Sequence, residues 1–202
     1  MIPAAILWTA TWPPVIPLSS ALTYTAYYCE ENIWHLCREP MFAGLPCRVV
    51  IISNPGRCCA VWQQRAAPHR DLPICWDYHV VLAVFREPVW ELWDMDTLLG
   101  MPAPAREWLS RSFLPLRQEY AMLAPRFRVL DRVAYVAGFS SDRSHMRDTD
   151  GSWRRPPPSW PTIEVAGRPS FLGWTEMAAH DPDCLDLDEL RALFTAPPPP
   201  EG

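Results

Sequence analysis

Three residues in this chain have the types that acyl chemistry at a thiol requires. A cysteine becomes a nucleophile when its pKa falls, which the positive end of a helix and a nearby imidazole accomplish, and a carboxylate then holds the imidazole in its useful tautomer. Cys29 opens a predicted helix, His79 lies in a predicted strand, and Asp94 ends the strand expected to pair with it. Fifty positions separate Cys29 from His79 and fifteen separate His79 from Asp94, so the carboxylate can face the imidazole across one hairpin. Five histidines and 23 acidic residues produce many such trios by accident, so residue types alone do not select this one. Asp96 is a direct rival to Asp94, because alternation along a strand puts both on one face.

The elements that must position these groups can be read from apolar spacing. Residues 29–38 carry Ile33, Trp34, Leu36 and Cys37 beside Glu30, Glu31 and Asn32, which suits a helix with acidic residues in its first turn. Residues 48–53 and 59–64 are β-rich runs separated by Asn54, Pro55 and Gly56, a hairpin signal. A second hairpin is predicted from strands at 77–85 and 89–94, joined through Arg86, Glu87 and Pro88. Residues 105–113 form a predicted helix, 126–130 and 133–139 further strands, and 186–194 a closing amphipathic helix. The predicted class is α+β, an antiparallel sheet flanked by helices.

At 202 residues with 49% hydrophobic content, the chain can bury one substantial core and is too short for two ordinary domains. A Pro-rich arm is expected over residues 1–20, a single domain over 21–195, and a Pro-rich tail over 196–202. The cluster Pro156 to Pro158 with Pro161 cannot enter a helix or central strand and should cross the surface as a loop. The first twenty residues are apolar, yet they lack a basic start and are broken by Pro3, Pro13, Pro14 and Pro17. Neither a signal peptide nor a membrane span is expected from them. Net charge is −5 without a basic stripe, which argues against nucleic acid as a partner.

Seven cysteines without a CxxC pair disfavour a secreted disulfide framework or a zinc ribbon. The thiols should mostly be buried small hydrophobes, with one or two reactive. Cys58, Cys59, His69 and Cys75 lack metal-ligand spacing, so no metal and no cofactor are expected. The tryptophans, among them Trp34, Trp62, Trp76 and Trp93, are expected in the core rather than in a ring-stacking site.

Four stretches surround the chemistry in order. Tyr24 to Trp34 reads TyrThrAlaTyrTyrCysGluGluAsnIleTrp, Trp76 to Val81 reads TrpAspTyrHisValVal, and Asp94 to Thr97 reads AspMetAspThr. SerAspArgSerHisMet from Ser141 to Met146 precedes TrpArgArgProProPro from Trp153 to Pro158. Together with ValTrpGlnGln at Val61 to Gln64, these strings resemble the protein N-terminal glutamine amidohydrolase family over roughly Tyr24 to His180. The resemblance implies a cysteine-protease or transglutaminase-like fold, with Cys29 as nucleophile, His79 as general base and Asp94 as orienting carboxylate. It also implies partners that are proteins or peptides with a free N-terminal Gln, a monomeric enzyme, and a cytoplasmic location with the nucleus as a second compartment. Two departures stand out: Tyr27 occupies a place where the family often has a second cysteine, and Arg155 one where it tends to be acidic.

A chain-terminus reader also needs a carboxylate or carbonyl cage for the α-ammonium. Asp77 and Asp142 are the candidates, although an Asp in a Ser-Asp-Arg-Ser loop can instead cap a turn or pair with Arg143. His145 could anchor that loop. Two rival functions use the same strings: a thiol peptidase or transglutaminase-like acyltransferase, and a module that binds N-termini without turnover.

Overall fold

Two apolar runs, Val49 to Ile52 and Val80 to Val84, contain no polar residue. Successive strand side chains point to opposite faces, so strands of this kind need cover on both sides. In the computed structural model, which describes residues 22–165 and 170–199, they lie in β1 (Cys47–Ser53) and β4 (His79–Arg86). These are adjacent and antiparallel in the middle of a six-stranded sheet. The sheet is completed by β5 (Val89–Trp93), β6 (Ala103–Pro104), β7 (Arg126–Asp131) and β8 (Cys184–Leu185), in the order β6-β5-β4-β1-β7-β8 with every pair antiparallel. A separate two-stranded ribbon pairs β2 (Cys59–Val61) with β3 (Ile74–Trp76).

Helices cover both faces. Val49, Ile51, Val80 and Leu82 pack in one cluster with Ile33 and Leu36 of α1 (Cys29–Leu36), Tyr135 of α3 (Arg132–Gly138), and Phe171 just before α4 (Leu172–Thr175). Val50, Ile52, Val81 and Ala83 face the opposite cluster, with Trp108 and Leu109 of α2 (Ala105–Ser112) and Leu190 of α5 (Leu187–Leu193). Each large apolar side chain taken fully out of water contributes roughly 1.5–3 kcal/mol. A strand whose middle, Val49 to Ile52, is apolar on both faces is therefore stable only at the centre of the sheet. The class is α+β, and among the described residues no helix is long and apolar enough to cross a membrane.

Several expectations hold. The helices at 29–38, 105–113 and 186–194 form within a residue or two of the expected bounds, and α5 has a capping box between Asp186 and Glu189. The second hairpin is β4–β5 and the strand at 126–130 is β7. Three expectations need correction. The run at 48–53 does not form a hairpin with 59–64: β1 pairs with β4 and β7, while β2 turns away to β3. Buried Asn54 anchors the chain at the divergence: its amide donates to the carbonyls of Cys58, Met122 and Ala124 and its Oδ1 accepts from Cys58 N–H. Of residues 133–139, expected as a strand, 133–138 lie in α3, whose N-terminus is capped by Asp131 accepting from Val133 N–H (2.7 Å) and Ala134 N–H (3.3 Å). Finally, Cys58 and Cys75 form a disulfide across the ribbon, whereas the other five thiols are free and buried. The arm over residues 1–20 and the end of the tail fall outside the described residues.

Candidate active site

The thiol is set by the turn that precedes its helix. Tyr27 adopts a left-handed backbone (φ 71°), unusual for a bulky residue, and Asn32 exchanges hydrogen bonds of 2.8 Å with both backbone groups of Thr25. This closure presents Cys29 as the first residue of α1. His79 opens β4, whose backbone packs against α1. Cys29 and His79 line the floor of one cavity of about 530 Å3, within the usual range for small-ligand sites.

Asp94 stands behind the imidazole, fully buried. It follows β5 and opens a tight turn, closed by Thr97 N–H donating to the Asp94 carbonyl at 3.3 Å. The turn replaces the expected strand alternation and separates the two acids. Asp94 Oδ1 lies 2.9 Å from His79 Nε2 and accepts from Asp96 N–H at 3.0 Å. Its Oδ2 accepts from Gln64 Nε2 (2.8 Å) and Trp108 Nε1 (3.1 Å). Asp96 instead accepts from the Tyr24 hydroxyl at 2.6 Å. With Nε2–H committed to Asp94, the imidazole keeps Nδ1 free: it is buried and has no hydrogen-bond partner among the described residues. That nitrogen is the one able to take a proton.

The potential metal-ligand atoms of His79, Asp94 and Asp96 all lie within 4.8 Å of one another. Asp94 nevertheless uses both oxygens for four N–H donors and His79 uses Nε2 for Asp94, so the donor set is that of a hydrogen-bonded pair rather than a cation cage.

Electrostatics assign resting states. Burial pushes the Cys29 thiol well up, and the Glu30 and Asp96 carboxyls push it further, against a backbone hydrogen bond from Val80. The thiol therefore rests protonated. Burial alone would lower His79, but attraction to Asp94 and the hydrogen bond to it leave its pKa raised. Burial opposes ionisation of Asp94, yet the imidazole beside it and its N–H donors hold it below the usual carboxylate range. Asp96 is raised, chiefly by burial.

Three supporting residues escaped the sequence reading because each reads as ordinary core. Trp76 stacks on the His79 ring, with centroids 5.7 Å apart and planes 11° from parallel, and its indole N–H reaches Gln64 Oε1 at 3.3 Å. Gln64 thus ties the ring stacked on the imidazole to the carboxylate bound at its edge. Trp108 closes the far side of Asp94. The strings ValTrpGlnGln and TrpAspTyrHisValVal contain Gln64 and Trp76 without showing their roles, and nothing in the sequence marked Trp108.

The α-ammonium candidates part company. Asp77 lines the exposed rim of the cavity, with Oδ2 3.7 Å from Arg57 Nη2. Asp142 is not among the lining residues: Ser144 N–H (2.9 Å) and Oγ (2.5 Å) donate to its Oδ1 and Ser170 Oγ to its Oδ2. Arg143 is bound by Glu31 rather than by Asp142. His145 Nε2 lies 3.1 Å from the Tyr78 hydroxyl, holding its loop against the cavity wall.

A thiol and an imidazole sharing one cavity floor, the imidazole bound through its other nitrogen to a buried carboxylate, are the parts of a thiol-dependent hydrolase or acyltransferase. Comparison with known proteins narrows that class. The family model for N-terminal glutamine amidase matches residues 24–186. The chain is 36% identical over 185 residues to a Bos taurus protein N-terminal glutamine amidohydrolase, covering 89% of this chain and 88% of that one. It is 36% identical over 176 residues to the Homo sapiens protein of that name, covering 85% and 84%, and 38% identical over 160 residues to the Drosophila melanogaster one, covering 74% and 75%. The chain belongs to the N-terminal glutamine amidase family.

Proposed function

We propose that this chain hydrolyses the side-chain amide of glutamine at the N-terminus of proteins and peptides, giving N-terminal glutamate and ammonia. Family membership supplies the reaction, and the observation that carries the assignment of roles is the His79–Asp94 pair at 2.9 Å, which leaves Nδ1 unpartnered on a ring that lines one cavity with Cys29. The cysteine-protease or transglutaminase-like fold is the finer architectural reading, supported by a nucleophile helix packed on the sheet that carries the base. The product would feed arginylation in the N-degron pathway, with the enzyme acting as a monomer in the cytoplasm and nucleus.

Each step needs one proton carrier. His79 Nδ1 takes the Cys29 proton as Sγ attacks the side-chain carbonyl carbon, and the C=O electron pair moves onto oxygen. The backbone N–H of Cys29, at the start of α1, is the first donor to that oxyanion. As the tetrahedral species collapses, the imidazolium passes its proton to the departing nitrogen, which leaves as ammonia and yields a thioester. His79 then removes a proton from water attacking the thioester carbon. The thiolate leaves and recovers that proton, releasing glutamate. Asp94 keeps Nε2 protonated throughout, with Gln64 and Trp108 fixing the carboxylate. Asp77, exposed at the rim, is our candidate to receive the substrate α-ammonium, while Asp142 acts through the loop it caps.

The test is ammonia release from peptides beginning with Gln, Asn or acetyl-Gln, run on the wild type and Cys29→Ala, with mass spectrometry of the peptide. Release confined to free N-terminal Gln with the backbone intact, and reduced at least about a thousandfold in the variant, is expected. Peptide cleavage or transfer to an added amine would favour the peptidase or acyltransferase readings.

A further inference from the structure

The cavity floor and its rim have different electrostatic characters. Cys29, Tyr78, His79 and Asp96 on the floor are buried, whereas Arg57, Asp77, Asp148, Arg154 and Arg155 on the rim are exposed. Two of the three rim arginines are occupied. Arg154 Nε lies 2.9 Å from Asp148 Oδ1, and Arg57 is shared between Asp77 (3.7 Å) and the Thr175 hydroxyl (3.1 Å). Arg155 has no carboxylate within 4.0 Å among the described residues.

Arg155 is nevertheless held in place. Its guanidinium carbon sits 4.5 Å over the Tyr27 ring, and Tyr27 meets Trp76 edge-on at 6.0 Å. The Arg155 carbonyl accepts from the Tyr28 hydroxyl at 3.4 Å. The guanidinium is therefore seated on Tyr27 and the Arg155 backbone is tied to Tyr28, the two residues immediately before Cys29, at the rim of the cavity. If the side chain of the terminal Gln reaches the floor, the backbone behind it leaves over the rim. Consecutive Cα atoms are about 3.8 Å apart, so the second and third residues fall there.

We propose that Arg155 is a specificity-determining residue that selects substrates with an acidic side chain at the second or third position. This inference rests on the reading of the site as an N-terminal glutamine amidase. An exposed ion pair is screened and modest, so the preference for acidic over neutral residues is about two- to fivefold, with a similar penalty for basic ones. It acts on binding far from the reacting bond and therefore appears in KM, leaving kcat nearly even between peptides.

The experiment compares kcat and KM for three peptides, Gln-Glu, Gln-Gly and Gln-Lys followed by a common tail, and for matched peptides varied at the third position. They are assayed on the wild type, Arg155→Ala and Arg155→Glu at low salt and again at about 0.5 M salt, where the Debye length is only a few ångströms. The readout is the acidic-to-basic ratio within one preparation, which loss of folded enzyme leaves unchanged. The expected ratio exceeds unity in the wild type, falls towards one in Arg155→Ala or at high salt, and inverts in Arg155→Glu. A ratio near one for every wild-type peptide series, or one that survives Arg155→Glu, overturns the inference while leaving the amidase reading intact. Absence of turnover from all the Gln peptides overturns both.

Discussion

Two neighbouring carboxyls in the first turn of α1 live in opposite circumstances. Glu31 is paired with a guanidinium, whereas Glu30 is 2% exposed, has no ion-pair partner among the described residues and lies 3.7 Å from the Cys29 sulfur. Burial drives the Glu30 pKa from its usual value near 4.5 up to about 8, with the adjacent Glu31 adding to the rise. At neutral pH it is mostly protonated, so its push on the Cys29 thiol sets in only as pH approaches 8. Its folded pKa lies above the unfolded one, so the stability it contributes is complete below pH 4.5 and is lost as pH rises through about 8. Glu30→Gln keeps the shape without the ionisation. Its stability relative to the wild type should widen by up to about 1.4 kcal/mol per pH unit across that window and level off above it. Thermal unfolding in steps between those limits checks this, and a constant difference at every pH would show that folding does not raise the Glu30 pKa.

Among the elements, the β2–β3 ribbon contributes more to the site than its three-residue strands suggest. Its disulfide joins Cys58 to Cys75, and Cys75 precedes Trp76, the ring stacked on His79. Replacing both cysteines by Ser removes a cross-link closing a loop of 17 residues and should cost about 2–4 kcal/mol. Loosening Trp76 should also lower kcat more than it raises KM, since the stack orients the imidazole rather than the substrate. Denaturant titration and steady-state kinetics read the two effects separately, and unchanged kcat would show that the ribbon is only a staple. The ribbon was not legible in the sequence because Cys59, Ala60 and Val61 have the same apolar character as the centre of β1, while the Asn54 hydrogen bonds and the Cys58–Cys75 disulfide at the divergence are contacts that spacing does not show. α3 was misread for a related reason: Val133, Tyr135 and Val136 have strand-like side chains, while the deciding signal was the single cap at Asp131. Where one strong pattern governed, as in the β4–β5 hairpin or the capped α5, the reading held. The strings around Cys29, His79 and Asp94 marked the site itself, whereas Gln64 and Trp108 reach it through side-chain N–H groups and Trp76 through its ring face, contacts that spacing does not reveal.

Across the whole molecule, the cavity is assembled from two bodies of chain. The starts of α1 and β4, with Tyr78 and Asp96, supply the floor, and the segment from Ser141 to Ile163 supplies much of the rim, closed on itself by Ser141 N–H to the Ile163 carbonyl at 2.7 Å. The two are joined at Glu31, which is fully buried, accepts from Arg143 Nε (2.7 Å) and Nη2 (2.6 Å), and takes a third bond from Trp160 Nε1 at 2.6 Å. A bidentate, nearly buried pair behaves unlike a surface one: removing one partner leaves the other charge in a dry site, at a cost of about 3–5 kcal/mol. Glu31→Gln should therefore lose stability on that scale. The double variant Glu31→Met with Arg143→Met leaves no unpaired charge and should recover most of it. Recovery of stability should not restore the rim, because no directed bonds then hold the segment against α1. The double variant should accordingly keep kcat close to that of the wild type while KM for N-terminal Gln peptides rises several-fold, and hydrogen exchange at residues 141–163 should quicken. If KM returns with stability, the pair serves folding alone; if it stays high, the ion pair sets the distance between the thiol and the wall that receives the peptide.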